Sequence, residues 1–301
     1  MAVTAVRQGS RVAVSGRRFR PWGVANYLLM CVLLVLFVYP FWDVLVLSFT
    51  TPENAVHIGL RLVAFPLTVD AYKRIFISDT IFIGYYNTLL RTVVGTAILL
   101  AVTYCAAYAI SKKGLPFRRT IILFFLFTLF FDGGLIATYL NMRWLGLLGS
   151  RWALILPMAT SAWYLVITRN FLLTVPGELE DSAFMDGAGT MRTVFSVIAP
   201  VCAPVLAVLA LWSAVGHWNS WFDALLYVSD RDKLVLQLVL RRILTGGPSD
   251  IGDLNIQMFQ GTMLETVKAA TIVVTTGPII LLYPFLQRYF VKGLLVGAVK
   301  G

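Results

Sequence analysis

The residues that could do chemistry fall into two short stretches. In ELEDSAFMDGAGTMRTVFSVIAP (178–200), Glu178, Glu180, Asp181 and Asp186 crowd into nine positions between two apolar runs. In GHWNSWFDALLY (216–227), Trp218, Trp221 and Phe222 are interleaved with Asn219 and Asp223. Neither is an enzyme's kit. His57 and His217 are the only histidines, HExxH and GxSxG are missing, and so is a plausible pair of nucleophile and base. No GxxxxGK[ST] occurs, so the chain cannot hydrolyse a nucleotide by that route. Cys31, Cys105 and Cys202 match no metal spacing and read as plain buried thiols. What the stretches offer instead is docking and binding. Small residues Ser182, Ala183 and Ala188 let a partner approach the acidic segment's backbone. Aromatic rings flanked by an amide and a carboxylate suit a ligand with apolar faces and many hydroxyls.

Both stretches have to be positioned by a membrane scaffold. Of 301 residues, 58% are hydrophobic and 13% charged, and the mean hydropathy is +0.80, outside the balance of a soluble domain. A helical span needs about 20 apolar residues, and six stretches qualify: 26–49, 87–110, 119–140, 152–173, 194–216 and 266–287. Barrel strands alternate in short segments, whereas LLMCVLLVLFVYPFW does not, so the expected class is an all-α integral membrane protein with six transmembrane helices. Residues 1–25, with five arginines from Arg7 to Arg20 and no acid, read as a cytoplasmic tail, 26–291 as the membrane domain and 292–301 as a second cytoplasmic tail. Alternating the spans then puts the 112–119 and 169–200 connections inside. Counted with those connections, the first tail and the closing RYFVKGLLVGAVKG (288–301), the whole excess of +10 falls on that side, as the positive-inside rule requires; the charge is a topology signal and not a nucleic-acid patch.

Several spans carry irregularities. Pro40 and Asp43 interrupt the first, and Arg91 is expected to snorkel to the outer interface from the second. Only a dozen apolar residues precede Asp132-Gly133-Gly134 in the third, which predicts a broken helix opening outward. Pro157 falls in the fourth, and Pro278 and Pro284 in the sixth.

In the acidic segment, Thr174 is a candidate cap for a helix with Pro176 in its first turn. Its acids lie near the positive end of the helix dipole, and Asp186-Gly187 supplies a turn. Thr190 is the candidate cap of a second helix running to Pro200. A short helix, a bend and a helix entering the membrane make a compact knob, about 174–190, on the cytoplasmic face.

That knob resembles the EAA motif of the inner-membrane permeases of ATP-binding-cassette importers: EAA, three residues, Gly, nine residues, Ile, any residue, Leu-Pro. The chain has Asp181-Ser182-Ala183, Gly187, Val197 and Ala199-Pro200, with four departures that keep charge sign or small apolar character. NTLLRTVVGT, FFDGGLIATYL, LGLLGSRWALILP, RNFLLTVPGELEDSAFMDGAG, WNSWFDALLYV and YPFLQRYFVKGLLVGAVKG extend the resemblance over most of the chain, toward the carbohydrate-uptake, maltose-permease-like subgroup and its oligosaccharide permeases. The resemblance implies a type I importer permease in the bacterial cytoplasmic membrane. It also implies a second homologous permease, two ATPase subunits that bind ATP and Mg, and an extracytoplasmic solute-binding protein; this chain itself would carry no cofactor. Glu180, Asp181, Ser182, Ala183, Asp186 and Gly187 would then form the coupling helix that meets the ATPase.

For the cargo, Trp218, Trp221 and Phe222 share one face if the helix continues through 216–227, with Asn219 and Asp223 on its flanks; an aromatic belt at the outer interface is the alternative. Asp132, Tyr139 and Asn141 are lesser candidates, and Arg241 and Arg242 would suit an acidic, uronate-containing cargo. A permease for another solute, and a self-sufficient carrier or channel, remain alternatives.

Overall fold

The computed structural model describes residues 21–56, 59, 61–77, 79–245 and 262–298. The expectations for the tail arginines and for His57 lie outside them. Two units are described separately, 1–43 and 44–301. Most of the first lies in α1 (Pro21–Ser48), which runs through Pro40 and exposes Leu34, Phe37 and Phe41. Apolar side chains exposed in that number are stable only against lipid or another chain.

The second unit contains α2 (Asp70–Ile77), α3 (Asp79–Ser111), α4 (Arg118–Phe130), α5 (Gly134–Trp144), α6 (Ala162–Leu172), α7 (Glu178–Met185) and the one-turn helices α8 (Thr190–Arg192) and α9 (Ala199–Val201). These are followed by α10 (Ala203–Asn219), α11 (Phe222–Tyr227), α12 (Leu236–Thr245) and α13 (Thr262–Ala298). Among the described residues, three helices are long and apolar enough to cross a bilayer: 24–48, 79–111 and 263–281. Two further pairs pass as broken spans, α4 with α5, bent by 115°, and the 190–201 helices with α10, bent by 79°.

Of the six stretches expected from sequence, the third is broken as expected, and the fourth and fifth are less regular than single helices. Asp132 ends the third early, as its position suggested: its Oδ1 accepts from Gly134 N at 3.0 Å, and Gly134 takes φ +76°, a conformation glycine adopts without strain. The stretch 152–173 is not one helix. Two 3-10 turns, Arg151–Leu154 and Leu156–Met158, precede the eleven residues of α6, because Pro157 has no N–H to continue an α-helical ladder. In the fifth, Pro200 and Pro204 break the ladder. Upstream of them residues 193–198 widen into a π-helix, in which Ala199 N bonds Val194 O five residues back. α13 continues to Ala298, past the expected boundary of a tail.

The long α3 organises this unit. At 1.5 Å per residue its 33 residues span about 50 Å, and its main neighbours are α10 and α6. Its buried face recurs every three or four residues through Thr80, Gly84, Asn87, Arg91, Gly95, Leu99, Thr103 and Ala107. Gly95 lets α10 come close: a Cβ there would lie 2.3 Å from His217 Nε2. One core, including Ile75, Tyr227, Leu236 and Val239, surrounds the start of α3. A second, including Tyr104, Ala107, Leu172, Ile198 and Cys202, surrounds its end. Of the three thiols read as buried, only Cys202 is; Cys31 and Cys105 are exposed, on faces a membrane or a neighbour would cover.

Candidate functional site

The acidic segment forms a short helix that is fastened on one side. α7 begins at Glu178, and its first turn holds Glu178, Glu180 and Asp181, where the helix dipole favours negative charge. Neither threonine caps as expected. Gly177 occupies the N-cap of α7 with no side-chain bond, and Thr174 Oγ1 donates to Phe171 O at 2.7 Å, closing the preceding helix. Gly189, not Thr190, stands at the N-cap of α8. The bend at Gly187 is present and complete. Its φ is +78°, its N–H donates to Phe184 O at 3.0 Å, and Ala188 N donates to Ala183 O at 2.9 Å. That is a Schellman closure, with glycine at the left-handed position.

The candidate docking residues divide by direction. Ala183 is buried against the rest of the chain. Glu180 points the same way and is bound through both carboxylate oxygens by Lys112 Nζ, just beyond the end of α3. The ammonium also lies 4.2 Å above the Tyr108 ring. Glu178, Asp181, Ser182, Met185, Asp186 and Gly187 are exposed. Glu180 is thus an anchor rather than part of the outward face, a distinction that residue type alone does not make. A second tie lies close by: Tyr104 Oη on α3 donates to Val194 O in the π-helical turn at 2.6 Å.

At its other end α3 holds the second candidate stretch. Arg91 does not snorkel; it is 1% exposed. Its Nη2 lies 2.5 Å from Asp223 Oδ2 and 3.2 Å from Leu154 O, and Nη1 lies 3.4 Å from Ser220 O. Asp223 Oδ1 also accepts from Ser220 Oγ at 2.7 Å and Ala224 N at 2.9 Å. These contacts tie Asp223, one of the cargo candidates, to α3 and to its own turn. One turn away, Asn87 Nδ2 donates to Asp232 O at 2.8 Å and Leu234 O at 3.0 Å, while Arg151 Nε donates to Asn87 Oδ1 at 2.8 Å. These contacts escaped the sequence reading, although their signal was there: Asn87, Thr88 and Arg91 sit on the helix's buried stripe, where isolated polar groups need partners.

The helix does not continue through 216–227, so its aromatics do not share one helical face. α10 ends at Asn219 and Ser220 is extended. Trp218 turns inward, 6% exposed, with Nε1 donating to Thr275 O at 3.2 Å. Trp221 is half-buried and Phe222 exposed, their ring centroids 5.3 Å apart at 75°. Arg241 Cζ lies 3.7 Å from the Trp221 centroid. Tyr139 stacks on Tyr227 at 6.2 Å. Asp132, Asn141 and Asn219 are exposed, and Asp132 serves its local turn. Outside the spans, Asp230 is held below the ordinary carboxylate range by its hydrogen bond to Lys233 and by Asp232 N. Among the described residues no group of three acids, histidines or cysteines is placed to hold a metal.

Comparison with known proteins follows the same outline. A family profile described as "Binding-protein-dependent transport system inner membrane component" matches residues 115–296. The polygalacturonan/rhamnogalacturonan transport system permease protein YtcP of Bacillus subtilis is 38% identical over 280 residues, covering 92% of this chain and 97% of that protein. A trehalose/maltose transport system permease of Thermococcus litoralis is 28% identical over 279 residues, covering 89% and 93%. A chain from the crystal structure of a bacterial ABC transporter involved in the import of the acidic polysaccharide alginate superposes with TM-score 0.84 at 28% identity, covering 93% of this chain and 100% of that one.

Proposed function

The chain belongs to the family of binding-protein-dependent transport system inner membrane components, and from that premise we propose that it is a transmembrane permease subunit of an ATP-driven importer for acidic oligosaccharides. It does no chemistry. Its partners in this reading are a second, homologous permease, two cassette ATPases that bind ATP and Mg, an extracytoplasmic solute-binding protein and the lipid of the cytoplasmic membrane. Both termini lie in the cytoplasm and the chain crosses six times, the fourth crossing being built from the 3-10 turns and α6.

The observation that carries this reading is the one-sided fastening of α7. A helix that merely closed a loop has no need of an exposed acidic face together with an ion pair on its back. If the ATPase grips Asp181, Ser182 and Met185, its closure pushes on a body tied to α3 through Glu180–Lys112 and to α10 through the π-helical turn. Because α3 is rigid and about 50 Å long, displacement at Lys112 reaches Arg91 and the segment after α10, where Asp223 is held. The energetic requirement is that α7 fit the closed and open ATPase dimers unequally, since a partner shifts an equilibrium only by its differential affinity. The acidic cargo is supported by the relative named for polygalacturonan/rhamnogalacturonan transport and by the transporter involved in the import of the acidic polysaccharide alginate.

The test is a cysteine at Met185, exposed and pointing outward, with a short bifunctional crosslinker in native membranes. Capture of a cassette ATPase, suppressed or enhanced by ATP and vanadate, is the expected result. Normal oligosaccharide uptake with no capture at 185 or 181 would sink the coupling assignment.

A further inference from the structure

Trp221, Phe222 and Arg241 together make an arrangement whose chemistry is more specific than that of an aromatic belt. Arg241 stands on the exposed side of α12, and its guanidinium carbon lies 3.7 Å from the centre of the Trp221 ring. That is a cation–π contact, in which the indole desolvates the side of the cation that it faces and the N–H donors directed away from the ring remain available. Lys73, Lys233 and Lys268 are each neutralised by an acid three residues away. Arg241 is instead held by an aromatic ring, and among the described residues no carboxylate pairs with it. Asp223, the acid nearest in sequence to Trp221, is committed to Arg91 at the other side of the segment. Trp221 itself is braced by the core that contains Trp218 and Tyr227, so the cation rests on a fixed support.

Phe222 adds the other half. It is 43% exposed, and its ring stands at 75° to the indole, 5.3 Å away. A hexuronate ring carries a C–H face and a planar carboxylate on the same ring. The first suits the open face of Phe222, and the second suits the two-pronged edge of a guanidinium. We propose that these three residues form a contact that reads the uronate units of the cargo, with Arg241 as its charge-selecting element. This rests on the acidic-oligosaccharide function proposed above and narrows it to named residues. Arg242, the next residue on α12, is half-buried on a different face and lies outside the contact.

The experiment uses the complete transporter reconstituted in vesicles with its solute-binding protein, and measures uptake of radiolabelled trigalacturonate and of its methyl ester, in which the carboxylates are masked. Arg241→Gln is expected to lower trigalacturonate uptake about ten-fold, the effect of one charge-assisted hydrogen bond, and to leave methyl-ester uptake within two-fold. Arg241→Lys recovers only part, since an ammonium neither forks nor stacks in the same way. Arg242→Gln changes neither. Assembly of each variant is checked by co-purification of the partner subunits. Equal loss for both sugars, full rescue by lysine, or no loss at all overturns the contact while leaving the importer intact. Failure of the unaltered transporter to take up trigalacturonate overturns the function proposed above, and the contact with it.

Discussion

Replacing Arg91 by methionine removes the guanidinium that holds Asp223 and leaves a carboxylate whose remaining partners are the Ser220 hydroxyl and the Ala224 amide. Two unit charges about 4 Å apart at an effective dielectric near 20 attract by about 4 kcal/mol, and breaking a buried pair costs about 3–5 kcal/mol because one charge stays behind uncompensated. The side chain of Asp223 is 21% exposed and that of Arg91 2%. Arg91→Met therefore belongs at the low end, about 3 kcal/mol, while Asp223→Asn, which strands the more deeply buried cation, belongs nearer 5 kcal/mol. Removing both charges with apolar groups of similar volume, Arg91→Met with Asp223→Leu, is expected to cost far less than the sum. Cys202 is fully buried, so its reaction with a fluorogenic maleimide reports unfolding in detergent once Cys31 and Cys105 have been replaced by serine. At roughly 2–4 °C per kcal/mol, Arg91→Met lowers the midpoint by roughly 6–12 °C. Additivity of the two single losses in the double variant, within about 0.5 kcal/mol, would refute the claim that the two side chains act as a pair.

Three further expectations concern the other end of α3 and the loops. Gly187→Ala places a side chain at φ +78° with no atom within 4 Å of its Cβ, so the cost is backbone strain alone, about 1–2 kcal/mol; Gly187→Asn costs less, and maleimide-monitored melting ranks the two. Lys112→Glu sets two carboxylates against each other at the back of α7. Uptake per ATP hydrolysed in reconstituted vesicles should fall several-fold, and the reversed pair Lys112→Glu with Glu180→Lys should restore much of it; an unaltered ratio in the single variant would remove Lys112 from the coupling path. Asp230 has its folded-state pKa depressed by Lys233 and Asp232 N. Its contribution is therefore present above the unfolded carboxylate value of about 4 and is lost as pH falls through the lower folded value. Hydrogen exchange at 231–234 should quicken over that acid range in the native chain and show no such step in Asp230→Asn.

The membrane class, the helical content and the bent acidic element can all be read from the sequence, because each follows from a local rule. Hydrophobic length marks the long spans of α1, α3 and α13. Asp132-Gly133-Gly134 marks a break in the third stretch, and Asp186-Gly187 a left-handed turn. Proline marks trouble near 157 and 200, but not its form: the 3-10 turns and the π-helical run depend on which carbonyls neighbouring elements can re-satisfy. The capping threonines failed for a similar reason. Thr174 had two backbone partners within reach and took the carbonyl behind it.

Direction is what a linear reading could not supply. Glu180 and Asp181 are adjacent carboxylates, yet a helix turns about 100° per residue, so one meets Lys112 while the other meets solvent. Asp223 and Trp218 read as cargo residues because their partners, Arg91 and Thr275, are 132 and 57 positions away. By itself the sequence determined that this chain lives in a bilayer and carries an acidic, glycine-hinged knob, since hydropathy, charge asymmetry and glycine's backbone freedom are properties of residues in isolation. Only the tertiary structure decided which polar groups are spent on holding helices together and which remain to meet a partner, because burial and pairing are properties of neighbours that the chain brings together by folding.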